Sequence, residues 1–290
     1  MPMRSFERVS VMTNAAEWSG RVGAAWAEEW RLTDMSFADL ARSLDAAIRA
    51  AAPDAGRALD IGCGAGATSI ALARACPALR VTGVDLSAPL VAAATARAAG
   101  LPNLGFRVAD MVDVAPGETA GGHFDLAFSR HGVMFFDDPF AAFGHIRAML
   151  RPGAALVFSC FADMARNPWA GELARLAGAA PPGDGVSWQP GPFAFADADF
   201  VRTILAAAGF ADAAPRLVDY RYRVGEGPDA LEQAVHFFHR IGPAARALAA
   251  VPDEEQAEIG ARLRRFLAER LGDDGVVFPA AAWIWTARAE

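Results

Sequence analysis

The residues best suited to chemistry cluster in one short stretch, Ala58-Leu59-Asp60-Ile61-Gly62-Cys63-Gly64-Ala65-Gly66-Ala67-Thr68. It reads as a buried strand that runs into a glycine-rich turn and straight on into a helix. Glycines at 62, 64 and 66 remove the Cβ atoms that would hold a ligand off the backbone, and they allow positive φ. The helix start behind them offers free N–H groups and the positive end of a dipole. A small, polar, nucleotide-like ligand suits such a turn. Gly62-x-Gly64-x-x-Ala67, with Asp85 about 20 residues on, satisfies the dinucleotide fingerprint. Three features oppose it. Asp60, two residues before the first glycine, suits a cationic ligand group and sits badly beside a pyrophosphate. Another acid follows the third strand in Val108-Ala109-Asp110-Met111, and roughly 57 residues precede the first strand.

Away from the turn, His131 in Ser129-Arg130-His131-Gly132-Val133-Met134-Phe135-Phe136 is the best-placed titratable group. Its unperturbed pKa of about 6.5 suits a general base, and a pocket-wall role is equally open. His236 and His239 fall i, i+3 on a helical segment, so both can face a pocket. As a metal pair they lack a third ligand, and no metal site is expected. Tyr220 and Tyr222 share one strand face; packing is the first expectation for both, and Tyr222 is also a candidate for a polar group of the substrate. Met134 and Phe193, the latter beside Phe195, are candidates for an apolar wall.

Composition narrows the classes. The chain has 290 residues, 53% of them hydrophobic and 21% charged, with a net charge of −7. It has no clustered Lys and Arg of the kind that phosphate backbones need, so a nucleic-acid substrate is disfavoured. Cys63, Cys76 and Cys160 have neither metal spacing nor a framework, which suits a reducing cytoplasm. No signal-peptide pattern opens the chain, and its apolar runs stop well short of the roughly 18 residues of a membrane span.

The elements that must position these residues follow from periodicity. Two helices are expected over 15–50. Trp18, Val22, Trp26 and Trp30 form an i, i+4 stripe, and Ser36 reads as N-cap of the second helix with Asp39 at N3. From residue 57, strands at 57–61, 80–84, 104–108, 124–129 and 154–161 alternate with helices at 67–76, 87–99 and 138–150. That pattern implies a parallel sheet covered on both faces, with ligands at the carboxyl ends of its strands. Residues 162–196, rich in Pro, Gly and Trp, read as a lid loop. A helix is expected over 197–208 with Gly209 at C′. Strands are expected at 213–224 and 276–287, separated by a helical insertion. The resulting organisation is an N-terminal helical arm (1–56), an α/β core (57–161), the lid loop (162–196), a core continuation (197–224), a helical cap (225–272) and a last core strand (273–290).

Leu59-Asp60-Ile61-Gly62-Cys63-Gly64-x-Gly66 resembles motif I of the class I S-adenosylmethionine (SAM)-dependent methyltransferases. Val84-Asp85-Leu86-Ser87 resembles their second acidic motif and Ala109-Asp110-Met111 their third, while Arg151-Pro152-Gly153 is similar to the turn before their fifth strand. The resemblance implies a Rossmann-like, seven-stranded, mostly parallel sheet with an antiparallel last strand and helices on both faces. It implies SAM as cofactor and S-adenosylhomocysteine as product. Asp60, with Gly62, Cys63 and Gly64, would meet the cofactor's amino-acid end and Asp85 its ribose. Asp110, Leu86, Ala109 and Met111 would hold the adenine, and Ser129 would touch the cofactor from the end of the fourth strand. The Trp stripe is first of all suited to packing the N-terminal arm onto the domain. Because Trp18-x-Gly20-x-x-Gly23-x-x-Trp26 is also similar to an N-terminal helix that closes over this site, Trp18 and Trp26 join the cofactor-binding candidates.

His131, Met134, Phe193, Tyr222, His236 and His239 are then the residues expected to face the acceptor. The chain lacks, after its fourth strand, the Asn/Asp-Pro-Pro-aromatic signature that these enzymes use for exocyclic and amide nitrogens, so methylation of adenine or glutamine is not expected. O or C is expected slightly over N as the nucleophile. The expected acceptor is a small, fairly apolar metabolite; no nucleic acid and no membrane are implied, and a homodimer is compatible. A non-catalytic SAM- or nucleotide-binding regulatory protein and an NAD-dependent oxidoreductase stay open as alternatives.

Overall fold

The computed structural model describes residues 15–114, 122–176, 189–249 and 251–290. The chain opens with four helical pieces, α1 (Ala15–Ser19), α2 (Arg21–Glu28), α3 (Trp30–Ser36) and α4 (Ala38–Ala51). Two helices were expected here. The breaks fall where the backbone leaves helical geometry, at Gly20, at Glu29 (φ −92°, ψ 19°) and at Phe37 (φ −99°, ψ 5°). Ser36 is not an N-cap: it ends α3, and its hydroxyl donates to the Thr33 carbonyl. In α4 the apolar period holds, and Leu40, Leu44 and Ile48 are fully buried.

The core alternates as its sequence requires: β1 (Gly56–Ile61), α5 (Ala67–Ala75), β2 (Leu79–Asp85), α6 (Ala88–Arg97), β3 (Leu104–Val108), β4 (Phe124–Arg130), α7 (Pro139–Met149) and β5 (Leu150–Phe161). Each boundary lies within four residues of its expected place. The central strands β1, β4 and β5 are nearly continuous runs of buried residues, as a sheet covered on both faces demands. Ser87 caps α6 by accepting from the Leu90 N–H, and Asp138 caps α7 from the Ala141 N–H.

Beyond β5 the chain forms α8 (Pro168–Leu176), where a loop was expected; residues 177–188 of that expected lid lie outside the described residues. Pro168 suits a first helical turn, and Trp169, Ala170 and Leu173 bury one face of the helix. Then come α9 (Ala198–Ala207), β6 (Phe210–Gly225), α10 (Ala230–Arg240), α11 (Gly242–Ala249), α12 (Asp253–Ala268), the two-residue β7 (Leu271–Gly272) and β8 (Gly275–Ala289). The sheet order is β3-β2-β1-β4-β5-β8-β6, with β7 paired to β8. β1 to β5 run parallel, and β8 is antiparallel to both β5 and β6. Strand order reverses between β1 and β4, so their carboxyl ends diverge and open a crevice.

The arm and α8 form the walls of that crevice. Gly23 of α2 packs so closely on α6 that a Cβ there would lie 2.3 Å from the Ser87 hydroxyl. Asn167, fully buried, fixes the start of α8: its amide donates to the Ala162, Asp163 and Ala281 carbonyls and accepts from the Ala281 N–H. Asn167→Ala removes all four bonds and leaves buried backbone groups unpaired, a cost of about 2–4 kcal/mol. Urea denaturation should register a loss of that size. A change within experimental error would mean that α8 is anchored elsewhere.

Candidate active site

The glycine turn adopts the conformation its composition allows. Gly62, Gly64 and Gly66 all have positive φ (63°, 54° and 81°), and the space in which a Cβ of Gly64 would sit is open to 4 Å. Cys63 N–H donates to the Val84 carbonyl, which ties the turn to the end of β2. Backbone can therefore lie directly against a ligand here. Around the turn, at the carboxyl ends of β1 to β4, is a cavity of about 460 Å³.

Asp60 is the penultimate residue of β1 and is 1% exposed. The Ser69 hydroxyl donates to its Oδ2 at 2.5 Å, and Oδ1 has no partner among the described residues. Burial pushes its pKa up to about 7, opposed by the Ser69 hydrogen bond and the nearby Arg130 charge. A half-ionised carboxylate with a vacant acceptor suits a cationic ligand group. Asp85 accepts from Gly64 N–H at 2.8 Å and from Ser87 N–H at 2.9 Å, and burial raises its pKa against those two bonds. Each oxygen keeps a second lone pair, so a ribose diol can still be met. Asp110 caps the short turn Met111–Asp113 through the Val112 N–H. Cys63, Leu86, Ala109 and Met111 complete this end, and burial pushes the Cys63 thiol well above its ordinary range.

The other end is a ring of aromatics. His131 meets Phe161 edge-on at 4.4 Å and Phe37 at 5.0 Å, Tyr222 stacks on Trp169 at 4.8 Å, and Phe193 lies 5.6 Å from Phe161. The Tyr222 hydroxyl hydrogen-bonds the Ser36 side chain. Trp18 and Trp26 contact each other at 5.6 Å and roof the crevice, with Trp18 also against Phe135 at 5.1 Å. His131 stands at φ 60°, uncommon for a non-glycine residue. Its N–H donates to the Ser159 carbonyl, and its Nδ1 lies 2.8 Å from the Ser159 hydroxyl. Burial, reinforced by Arg130, holds its pKa down at about 3.

Most expected site residues thus share one cavity; three do not. Ser129 is fully buried beneath it, donating to the Ile61 carbonyl and accepting from Gly132 N–H, so it staples β1 to β4 instead of reaching a ligand. His236 and His239 do share a helix face, but that face turns to the arm. His236 pairs with Glu29 at 2.8 Å, and His239 borders a separate hollow with Arg21 and Gln256. From α10 the cavity receives Phe238 instead, with Ile241 just beyond the helix. Arg130, Asp34, Phe37 and Trp169 also line it and were not singled out in the sequence. Their signal is positional, because the end of β4 (Arg130), α3 (Asp34), the joint after it (Phe37) and the start of α8 (Trp169) bring them in.

Residues 58–153 match the family model of the methyltransferase domain. The chain carries a class I SAM-dependent methyltransferase domain. Its relatives agree. It is 30% identical over 105 residues to malonyl-[acyl-carrier protein] O-methyltransferase 1 of Ilyobacter polytropus, covering 36% of this chain and 38% of that protein. It is 28% identical over 157 residues to trans-aconitate 2-methyltransferase of Variovorax paradoxus, covering 54% of each. The chain therefore spans between about a third and a little over half of these relatives' length. The YcgJ protein of Bacillus subtilis shares the fold with a TM-score of 0.55 at 18% identity, over 86% of this chain and 98% of that one.

SAM is the cofactor of such a domain, and the open cradle over Gly64 and the unpartnered Asp60 oxygen fit it. An ammonium group placed on Asp60 favours the ionised carboxylate, so binding displaces the proton that Asp60 carries below about pH 7. Affinity for SAM should rise about eightfold between pH 6 and pH 7.5, with proton uptake by the buffer visible in calorimetry. Asp60→Asn should bind more weakly and flatten that rise. In the ligand-free protein the sign is opposite. A carboxyl whose folded pKa is raised contributes stability below its unfolded value near 3.8, lost as pH climbs to about 7. Asp60→Asn should therefore be at least as stable as the parent above pH 7.

Proposed function

We propose that the chain is a SAM-dependent methyltransferase that methylates an oxygen or carbon nucleophile of a small, fairly apolar acceptor. The observation that carries this reading is the division of one cavity into an acidic, glycine-floored end and an aromatic end. The first fits a cationic adenosyl ligand, and the second a flat apolar molecule brought beside it. Two relatives support methyl transfer by name, one an O-methyltransferase of malonyl-[acyl-carrier protein] and the other a methyltransferase of trans-aconitate. The apolar character of the acceptor rests on the aromatic end of the cavity alone.

In this reading Asp60 receives the ammonium group, Asp85 the ribose hydroxyls, and Asp110 with Leu86 and Met111 the adenine. SAM supplies a methyl group already activated on a sulfonium, so the protein's task is alignment and exclusion of water. Orienting two reactants in a closed site can supply about 7–11 kcal/mol of barrier lowering. Trp18, Trp26 and Phe135 cover the crevice from the arm side. Phe37, Phe161, Trp169, Tyr222 and Phe193 leave an acceptor few orientations.

Of the two roles open to His131, the wall is the better supported. Moving a phenolic proton fully onto an imidazole of pKa about 3 is uphill by roughly 9–10 kcal/mol. A neutral imidazole locked to Ser159 instead shapes the pocket. Among the described residues no helix is long and apolar enough to cross a membrane. Three free cysteines suit a reducing compartment, and we place the enzyme in the cytoplasm on that basis.

Titration calorimetry with SAM, S-adenosylhomocysteine and NAD in parallel tests the cofactor. Binding of the first two alone is expected, and binding of NAD alone would make the turn a dehydrogenase site. Phenolic, enolic and amine acceptors should then be screened for release of S-adenosylhomocysteine. Binding without turnover on every acceptor class would favour a regulatory protein. With a productive acceptor, His131→Asn should keep turnover within about tenfold, whereas loss of a general base costs about 10²–10⁴. The parent's pH–rate profile should show no limb from this residue near pH 6.5.

A further inference from the structure

The cavity wall is electrically lopsided. Its described residues include six carboxylates, Asp34, Asp60, Asp85, Asp110, Asp137 and Asp138, and one cationic side chain, Arg130. We propose that Arg130 is the seat for the carboxylate of the cofactor's amino-acid end, with Asp34 as its positioning residue. The proposal rests on the SAM reading above and assigns a residue that the methyltransferase motifs leave out.

Strand geometry puts Arg130 where that carboxylate would be. Asp60 of β1 lies opposite Phe128 of β4. Side chains alternate along a strand, so Arg130, two residues beyond Phe128, emerges on the same face as Asp60 at the neighbouring strand end. The two charges are close enough for Arg130 to lower the pKa of Asp60. One acid and one guanidinium at adjoining strand ends make a matched pair for the ammonium and carboxylate of an α-amino acid. No other described lining residue offers a carboxylate a full positive charge.

The fork of Arg130 is held but not used up. Its Nη2 lies 3.0 Å from Asp34 Oδ1, and its side chain is 15% exposed. That pair is its one hydrogen bond among the described residues. A guanidinium has two edges that can each grip a carboxylate through two N–H groups, and a single bond at Nη2 leaves one edge whole. Asp34 Oδ2 takes Arg97 at 2.5 Å, and Arg97 Nη1 donates to the Ala65 carbonyl in the glycine turn at 2.6 Å. One carboxylate on the arm thus fixes Arg130 relative to the turn that carries the rest of the ligand. Arg130 also lies 5.5 Å from the Phe37 ring, which limits its swing.

A carboxylate could instead come from the acceptor, and the experiment separates the two sources. The probes are S-adenosylhomocysteine and its decarboxylated analogue, which keeps the amine and loses only the carboxylate. The parent should bind the first at least tenfold more tightly. Arg130→Met should erase that preference by weakening S-adenosylhomocysteine alone, and Arg130→Lys should restore part of it. Unchanged affinity for the decarboxylated analogue in Arg130→Met also certifies that the variant is folded. A preference that survives in Arg130→Met overturns the proposal. If the KM for carboxylic-acid acceptors rises in its place, Arg130 serves the acceptor. A parent that binds neither probe would sink the SAM reading itself, a result distinct from a preference that survives the substitution.

Discussion

A carboxylate buried without a full set of partners is the constraint around which this protein is arranged. Asp60 sits at the end of the central strand with one oxygen bound by Ser69 and the other unpaired. Burying an ionised, half-satisfied carboxylate costs several kcal/mol, and that cost appears as a pKa near 7. No structural need explains it, since an apolar residue at this point of a parallel sheet would be cheaper. The neighbouring devices make sense as its support. Ser69 and Arg130 lower the cost, while the glycine turn keeps the space beside it open to a ligand.

The arm is held over this site by unequal contributions. Its polar contacts to α10, Glu29 with the His236 imidazole and with Arg240, join partly exposed groups and are worth at most about 1 kcal/mol each. Ring burial is larger: aromatic pairs such as Trp18 with Trp26 and Phe135 add about 0.5–1.5 kcal/mol beyond the area they bury. The breaks at Gly20, Glu29 and Phe37 let four short helices follow the curve of the crevice, which one straight helix could not do. This explains why one arm lines the same cavity at several points, through Trp18, Trp26 and Phe37.

The sequence made the core legible for the same reason. Alternating buried runs and capped helices are local patterns, so β1 to β5 and their helices could be placed from periodicity alone. The acids at strand ends were legible because topology brings the carboxyl ends of parallel strands together. What failed depended on direction. Ser129 has the right position and the wrong face, since one residue along a strand reverses its side chain. His236 and His239 share a face as their spacing requires, but spacing does not say which neighbour that face meets. α8 was hidden because nine residues starting at Pro168 carry too short a period to stand out from a Pro- and Gly-rich stretch. Arg130 was quoted within its motif and passed over, because only the tally of lining charges sets it apart.

His131 shows how the two ends of the cavity are joined. The left-handed φ after Arg130 ends the alternation of β4 and turns the chain, so that Arg130 can serve the acidic end while the imidazole enters the aromatic ring. A non-glycine residue in that conformation costs on the order of 1–2 kcal/mol, and two bonds to Ser159 of the adjoining strand hold it there. Adjacent residues therefore face different tasks because one backbone angle is inverted. Glycine at 131 would relieve the strain and lose the ring that closes against Phe37 and Phe161. A larger aromatic would keep the ring and lose the side-chain bond to the Ser159 hydroxyl. Histidine meets both demands, which accounts for a titratable residue in a place where titration has been suppressed.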